Sequence, residues 1–118
     1  MTEPAPPPQK RELNIRKQYL QLMADGIKTV EVRVGYPRIR AIQTGQELTF
    51  VAGDQRVSTR VVRVTEYPSF EAMLDHEDPL TIGGELGASK DQLLAVIRGI
   101  YSPEKERLGV LAIEIALR

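Results

Sequence analysis

Lys28, Thr29, Glu31 and Arg33 put a cation, a hydroxyl, a carboxylate and a guanidinium within six residues. In an extended strand, side chains two positions apart share a face and lie about 6.5–7 Å from each other. Thr29, Glu31 and Arg33 therefore project together, and Val30, Val32 and Val34 project the other way. Lys28 stands just outside the strand, after Gly26. An arginine offers a planar donor fork that suits a phosphate or the edge of a base. A lysine next to a carboxylate can serve as a general base when partial burial lowers its pKa. The same alternation also describes a solvated strand face on which Glu31 and Arg33 form ordinary ion pairs. On spacing alone that plainer reading is the commoner one.

Further candidates flank this segment. Tyr36, Arg38 and Arg40 follow it, and an aromatic ring among guanidinium groups can stack a base and bind phosphate. A surface turn with Tyr36 packed on Pro37 explains the same residues equally well. Arg16 and Lys17 extend a basic rim or simply begin a solvated helix. His76 lies in Asp75-His76-Glu77-Asp78, which reads as a flexible acidic loop. Glu85 follows Gly83-Gly84, and glycine lets backbone approach a ligand closely. Glu85 is thus a candidate acid over the same site, with a plain turn as the alternative.

These groups need elements to hold them. Leu13 and Ile15 flank Asn14 as in a short strand. Tyr19, Leu20, Leu22 and Met23 recur at helical spacing, which predicts a helix over about residues 16–25 with Gly26 as its C-terminal cap. The motif strand runs from Thr29 to Val34 and is broken by Gly35-Tyr36-Pro37. A short irregular or helical stretch, Arg38–Ile42, leads to a turn at Thr44-Gly45-Gln46. Glu47–Ala52 and Arg56–Glu66 read as a hairpin about Gly53-Asp54. The second strand changes phase between Val61 and Val62, which suits a bulge. Pro68-Ser69 opens a second helix carrying Phe70, Met73 and Leu74. An acidic loop covers His76–Glu85. Ser89 and Gln92 form a capping box before a third helix. Ser102-Pro103 starts one further turn. Leu108–Leu117 closes the chain as a strand with Leu111, Ile113, Ile115 and Leu117 on one face. Strands without regular βαβ alternation predict an α+β domain whose mixed, mainly antiparallel sheet curls into a small barrel with peripheral helices.

Composition narrows the chemistry. The 118 residues fit one domain and include no cysteine and a single histidine. Thiolate zinc sites, multi-histidine metal sites, disulfides and a cysteine nucleophile are excluded. No metal and no cofactor are expected. No apolar run reaches spanning length and no signal-peptide core is seen, so a cytoplasmic location without membrane contact is the expectation. The oligomeric state is left open. Residues 1–10 form a Pro-rich leader expected to be flexible, and residues 11–118 form the domain. Net charge is zero, yet residues 1–63 carry 11 Lys/Arg against 6 Asp/Glu, and residues 64–118 carry 5 against 10. That asymmetry fits a polyanion-facing half, or two halves that attract each other on folding.

The run from Leu22 to Arg33 resembles the ASCH family signature GxKxxExR, matched at Gly26, Lys28, Glu31 and Arg33. The preceding apolar helix, the Gly45–Phe50 segment, the helix ending at Tyr101 and the final strand are also similar. The resemblance spans roughly residues 11–118. It implies a PUA-like barrel with a cleft lined by the motif, and RNA or a nucleoside or nucleotide as partner. Gly26, Lys28, Thr29, Glu31, Arg33, Tyr36, Arg38 and Arg40 are then the candidate ligand-binding residues. One branch of the family resembles amidohydrolases acting on N4-acetylcytidine through a lysine, a threonine and a glutamate. Lys28 matches the lysine, Glu31 stands at the threonine position, and Glu85 comes nearest to the glutamate. A second branch includes ribonucleases. A small metal-independent hydrolase using Lys28, Glu31 and Glu85 is accordingly the alternative to a binding module. A protein-interaction module using the acidic C-terminal half is a third reading.

Overall fold

The computed structural model describes residues 10–84 and 87–118. Of the expected Pro-rich leader only Lys10 falls within that range. The elements in chain order are β1 (Arg11–Asn14), α1 (Lys17–Ala24), β2 (Val30–Val34), α2 (Pro37–Arg40), β3 (Glu47–Ala52), β4 (Gln55–Tyr67), α3 (Phe70–His76), α4 (Lys90–Ile100), α5 (Pro103–Glu106) and β5 (Val110–Leu117).

Five strands form one sheet in the order β1-β3-β4-β5-β2, curled into a half-barrel. β1 pairs parallel with β3, and every other pair is antiparallel. β1 and β2 are thus the two edges, and no ladder joins them. The β3–β4 hairpin turns through Gly53 at φ 63, the glycine position of a tight two-residue turn. The expected phase change on β4 is a register shift between Val61 and Arg63. The shift bends β4 and so helps the sheet to curl.

Two apolar clusters hold the sheet from its two faces. Leu13, Leu20, Met23, Leu48, Phe50 and Ile113 belong to the concave cluster, under α1. Val30, Val34, Phe70, Met73 and Val110 belong to the other, under α3 and α4. Full burial of each such side chain contributes about 1.5–3 kcal/mol. β5 lies between the clusters, so Val110 to Ile113 are all buried. One apolar face had been expected of this strand; both faces are apolar because helices cover the convex side as well. The capping box of α4 is present, with Ser89 and Gln92 satisfying each other's amides. His76 closes α3 rather than opening a loop. Glu77 beside it is buried and is held by Arg63 from β4 at 2.8 Å, because the carboxylate folds back onto the sheet.

Candidate functional site

The end of α1 aims the motif. Asp25 is the C-cap, and Gly26 follows at φ 77. Gly26 N–H donates to the Met23 carbonyl at 3.0 Å, and Ile27 N–H donates to the Leu22 carbonyl at 2.9 Å. This is the Schellman pairing, which needs a left-handed residue at the position of Gly26. The reversal turns Lys28 inward instead of toward water.

Lys28 is only 4% exposed. Its Nζ donates to the carbonyls of Val30 and Ile82, each at 2.8 Å, and lies 3.1 Å from Glu31 Oε1. Three acceptors use all three ammonium protons. The Tyr19 ring lies 5.8 Å from Nζ, within cation–π range. Glu31 is also buried, and its second oxygen accepts from Arg33 Nε at 2.8 Å. Arg33 in turn donates from Nη2 to the Asn14 carbonyl at 2.6 Å. Lys28, Glu31 and Arg33 thus form a continuous row that starts at the free edge of β2 and ends on β1. The last bond crosses the gap between the two sheet edges. The solvated-strand reading fails for this segment: Glu31 lies opposite Ile113 and Arg33 opposite Leu111, on the concave face.

A pocket of about 240 Å³ lies over this row. Asn14, Ile15 and Arg16 form one wall with Tyr19, and Leu93, Val96, Ile97, Ile100 and Tyr101 of the α4 segment form the other. The Ile82–Gly84 backbone closes one end. Gly83 has φ 94, and a Cβ there would lie 3.2 Å from Tyr19 Cδ1 and 3.3 Å from Lys28 Cδ. At Gly84 a Cβ would come within 2.8 Å of Leu93 and of the Pro79 carbonyl oxygen. The loop therefore packs where only glycine fits. Tyr101 stacks on Phe70 with ring centroids 5.6 Å apart. Burial pushes its phenol pKa up, partly offset by the nearby Arg33 guanidinium.

Sequence reasoning did not single out Asn14, Tyr19, Val32 or the α4 wall as part of a site. Val96 and Ile100 are 58% and 47% exposed, and the apolar residues in excess of one buried stripe on this helix were the available signal.

The remaining candidates lie elsewhere. Gly26 shapes the turn but is not in the pocket wall, and Thr29 is tied by its backbone to Thr81 at 2.9 Å and to Ile115 at 2.9 Å. Tyr36 is half-buried and packs against both apolar clusters. Arg40 donates to the carbonyls of Gly35 and Leu108 and pairs with Glu66 at 2.6 Å, which fixes it in a separate surface depression. Arg38 is exposed beside Arg11, whose guanidinium reaches the Arg38 carbonyl. The structure brings Lys28, Glu31 and Arg33 together; Arg38 and Arg40 lie outside the pocket lining, and Tyr36, also outside it, sits close enough to Tyr101 to act on its phenol. Glu85 lies outside the described residues.

The charge asymmetry of the sequence is partly used up in folding. Arg40–Glu66, Arg63–Glu77 and Arg63–Glu114 each join the basic half to the acidic half. Among the described residues Arg16, at the pocket mouth, has no carboxylate partner. The described residues contain no group of three or more His, Asp or Glu placed to hold a metal, and no helix long and apolar enough to cross a membrane.

The chain is similar to solved structures along nearly its whole length. The crystal structure of the hypothetical protein PH0355 superposes with a TM-score of 0.85 at 29% identity, covering 93% of this chain and all of that one. The solution structure of protein PF0455 from Pyrococcus furiosus gives a TM-score of 0.73 at 30% identity, covering 92% of this chain and 97% of that one. No curated protein matches. The ASCH domain profile matches residues 13–117, so the chain belongs to the ASCH domain family.

Proposed function

We propose that the pocket above Lys28, Glu31 and Arg33 binds one nucleotide of single-stranded RNA, or a free nucleoside or nucleotide. The observation that carries this reading is the combination in one cleft of a buried ionic floor, a largely apolar wall on α4 and a facing wall that holds Tyr19 beside Arg16. Its volume of about 240 Å³ lies just under the range of about 300–1,000 Å³ typical of sites for drug-sized ligands. A base with its sugar suits that size better than an extended ligand. Aromatic and aliphatic walls supply stacking for a planar ring, and the row below supplies polarity. Arg16 supplies a free cation for phosphate.

Binding is better supported than hydrolysis. A general base needs an accessible lone pair, and Lys28 has its three protons committed to three acceptors. Glu31 uses both oxygens on cations. These two residues suit a floor that fixes the shape of the cleft. The interaction-module reading gains little, because the exposed Val96 and Ile100 belong to the pocket wall.

The test uses substitutions on exposed positions so that folding is spared. Val96→Glu puts an acid at the mouth, and Val62→Glu adds the same charge to a residue on β4 that is 45% exposed. Binding of a short single-stranded RNA, followed by fluorescence anisotropy at low salt, should weaken at least tenfold with Val96→Glu and stay within twofold with Val62→Glu. Equal effects from the two variants would sink the assignment to this pocket.

A further inference from the structure

Along β2 the backbone groups alternate in direction. Ile115 N–H donates to the Thr29 carbonyl at 2.9 Å, and Gly35 N–H donates to the Gly109 carbonyl at 2.9 Å. Glu31 and Arg33, like the Thr29 carbonyl and the Gly35 amide, therefore point their backbone groups at the β5 side. Residues 30, 32 and 34 point theirs away, and β2 is the last strand of the sheet. Val30 is satisfied on that free side by the Thr81 carbonyl at 3.0 Å and by Lys28 Nζ at 2.8 Å. The Val34 carbonyl accepts from Tyr36 N–H at 2.9 Å. Val32 has no such partner among the described residues, and it lines the pocket. Its side chain packs against the convex apolar cluster.

We infer that the Val32 amide and carbonyl, side by side on the free edge of β2 and without a partner among the described residues, pair with the hydrogen-bonding edge of a nucleobase held between Tyr19 and the α4 wall. The inference rests on the proposed nucleotide reading and sets the orientation of the ligand: base inward, phosphate outward. A donor and an acceptor on one residue match the adjacent acceptor and donor that a base presents. The open groups among the described residues are the Val32 amide and carbonyl and the Val34 amide, with both groups of Val30 and the Val34 carbonyl satisfied. Arg33 crosses to Asn14 beside it. An added peptide strand needs several consecutive open residues, so this window suits a single planar edge. A phosphate in the same place would face the Glu31 carboxylate, whereas at the mouth it would meet Arg16.

The experiment titrates the isotope-labelled full chain with uridine, guanosine, their 5′-monophosphates, inorganic phosphate, 3-methyluridine and 1-methylguanosine, and follows amide shifts by NMR. The last two carry a methyl on the base edge and are otherwise the same ligands. Expected results are a shift of the Val32 amide on binding of the better nucleoside. Methylation of its edge should weaken affinity at least about tenfold, the usual discrimination of a paired base edge. Inorganic phosphate alone should leave Val32 unmoved. Val32→Pro deletes the N–H at an edge position where proline costs no ladder bond. With the fold verified by its spectrum, it should lose the sensitivity to edge methylation. Nucleoside binding with an unmoved Val32 amide and no methylation effect overturns the base-edge pairing and leaves the nucleotide pocket standing. Absence of binding by every nucleoside and by single-stranded RNA overturns both.

Discussion

Lys28 Nζ and Glu31 Oε1 lie 3.1 Å apart, in surroundings where each side chain is less than a tenth exposed. Charges placed so deep stabilise a fold only when each has its partners. Lys28 has three acceptors and Glu31 has two cations. Lys28→Met leaves the carboxylate with Arg33 alone and strips two carbonyls of their donor. The expected loss is about 3–5 kcal/mol in urea denaturation, as for other broken buried pairs. Lys28→Met/Glu31→Gln should recover at least about 1 kcal/mol of it, because the stranded charge is gone. Additive single losses would show that the pair is not coupled. A fall in RNA binding on replacing Lys28 therefore has meaning only beside a stability measurement.

Arg33 joins the two edges of the half-barrel. β1 is four residues long and has a ladder on one side only, with β3. The Arg33–Asn14 bond is its attachment on the other side. Arg33→Lys keeps the charge but cannot reach Glu31 and the Asn14 carbonyl with the same fork. The expected cost is about 1–2 kcal/mol. Amide exchange should quicken at Leu13 and Ile15 and stay unchanged in the middle of β4. Uniform acceleration across the sheet would mean that the bond acts on global stability and not on the seam.

Gly83 offers a separate test of how tightly the loop closes the pocket. Gly45 has φ 88 and nothing within 4 Å of an added Cβ, whereas Gly83 has φ 94 and the Tyr19 ring and Lys28 stem at 3.2 and 3.3 Å. Gly45→Ala measures the backbone cost alone. Gly83→Ala adds crowding, worth about 1–3 kcal/mol more. It should also weaken nucleoside binding, since the Ile82 carbonyl and Lys28 move together. Equal melting temperatures for the two variants would contradict the packing.

Local signals made much of the fold readable in advance. The helix over about 16–25, Gly26 as its cap, the β3–β4 hairpin, the phase change near Val61 and the Ser89–Gln92 capping box each rest on short-range chemistry, and each is found. Burial of charge was not readable. Glu31 and Glu77 look like surface residues from their neighbours in sequence, and only partners 2 to 14 positions away bring them inside. Arg40 and Tyr36 illustrate the converse. Adjacency to the motif suggested one binding surface, but α2 carries Arg40 to Glu66, and Tyr36 packs into the apolar clusters behind Tyr101 instead of lining the pocket. Asn14 reaches the site through the parallel β1–β3 pairing, a long-range contact without a local signature.

The Glu77 carboxylate gives the fold a dependence on acid. Arg63 donates to it through two nitrogens at 2.8 and 3.0 Å, and the Tyr67 hydroxyl donates as well. The Arg63 hydrogen bonds hold its pKa below the ordinary carboxylate value, against burial that pushes the other way, with Tyr67 adding to the lowering. A carboxyl with a folded pKa below its unfolded value of about 4.3 stabilises the fold above that pH. That contribution disappears as pH falls through the lower folded value. Glu77→Gln keeps the shape, removes the charge and weakens the bonds to Arg63. At pH 7 the variant should be less stable by about 1–3 kcal/mol. The gap between wild type and variant should narrow steadily below about pH 4.3, because the wild-type carboxyl then becomes neutral too. Thermal melts of both proteins from pH 7 to pH 2.5 measure that gap directly. A constant gap across the range would show that the Glu77 charge has no part in stability.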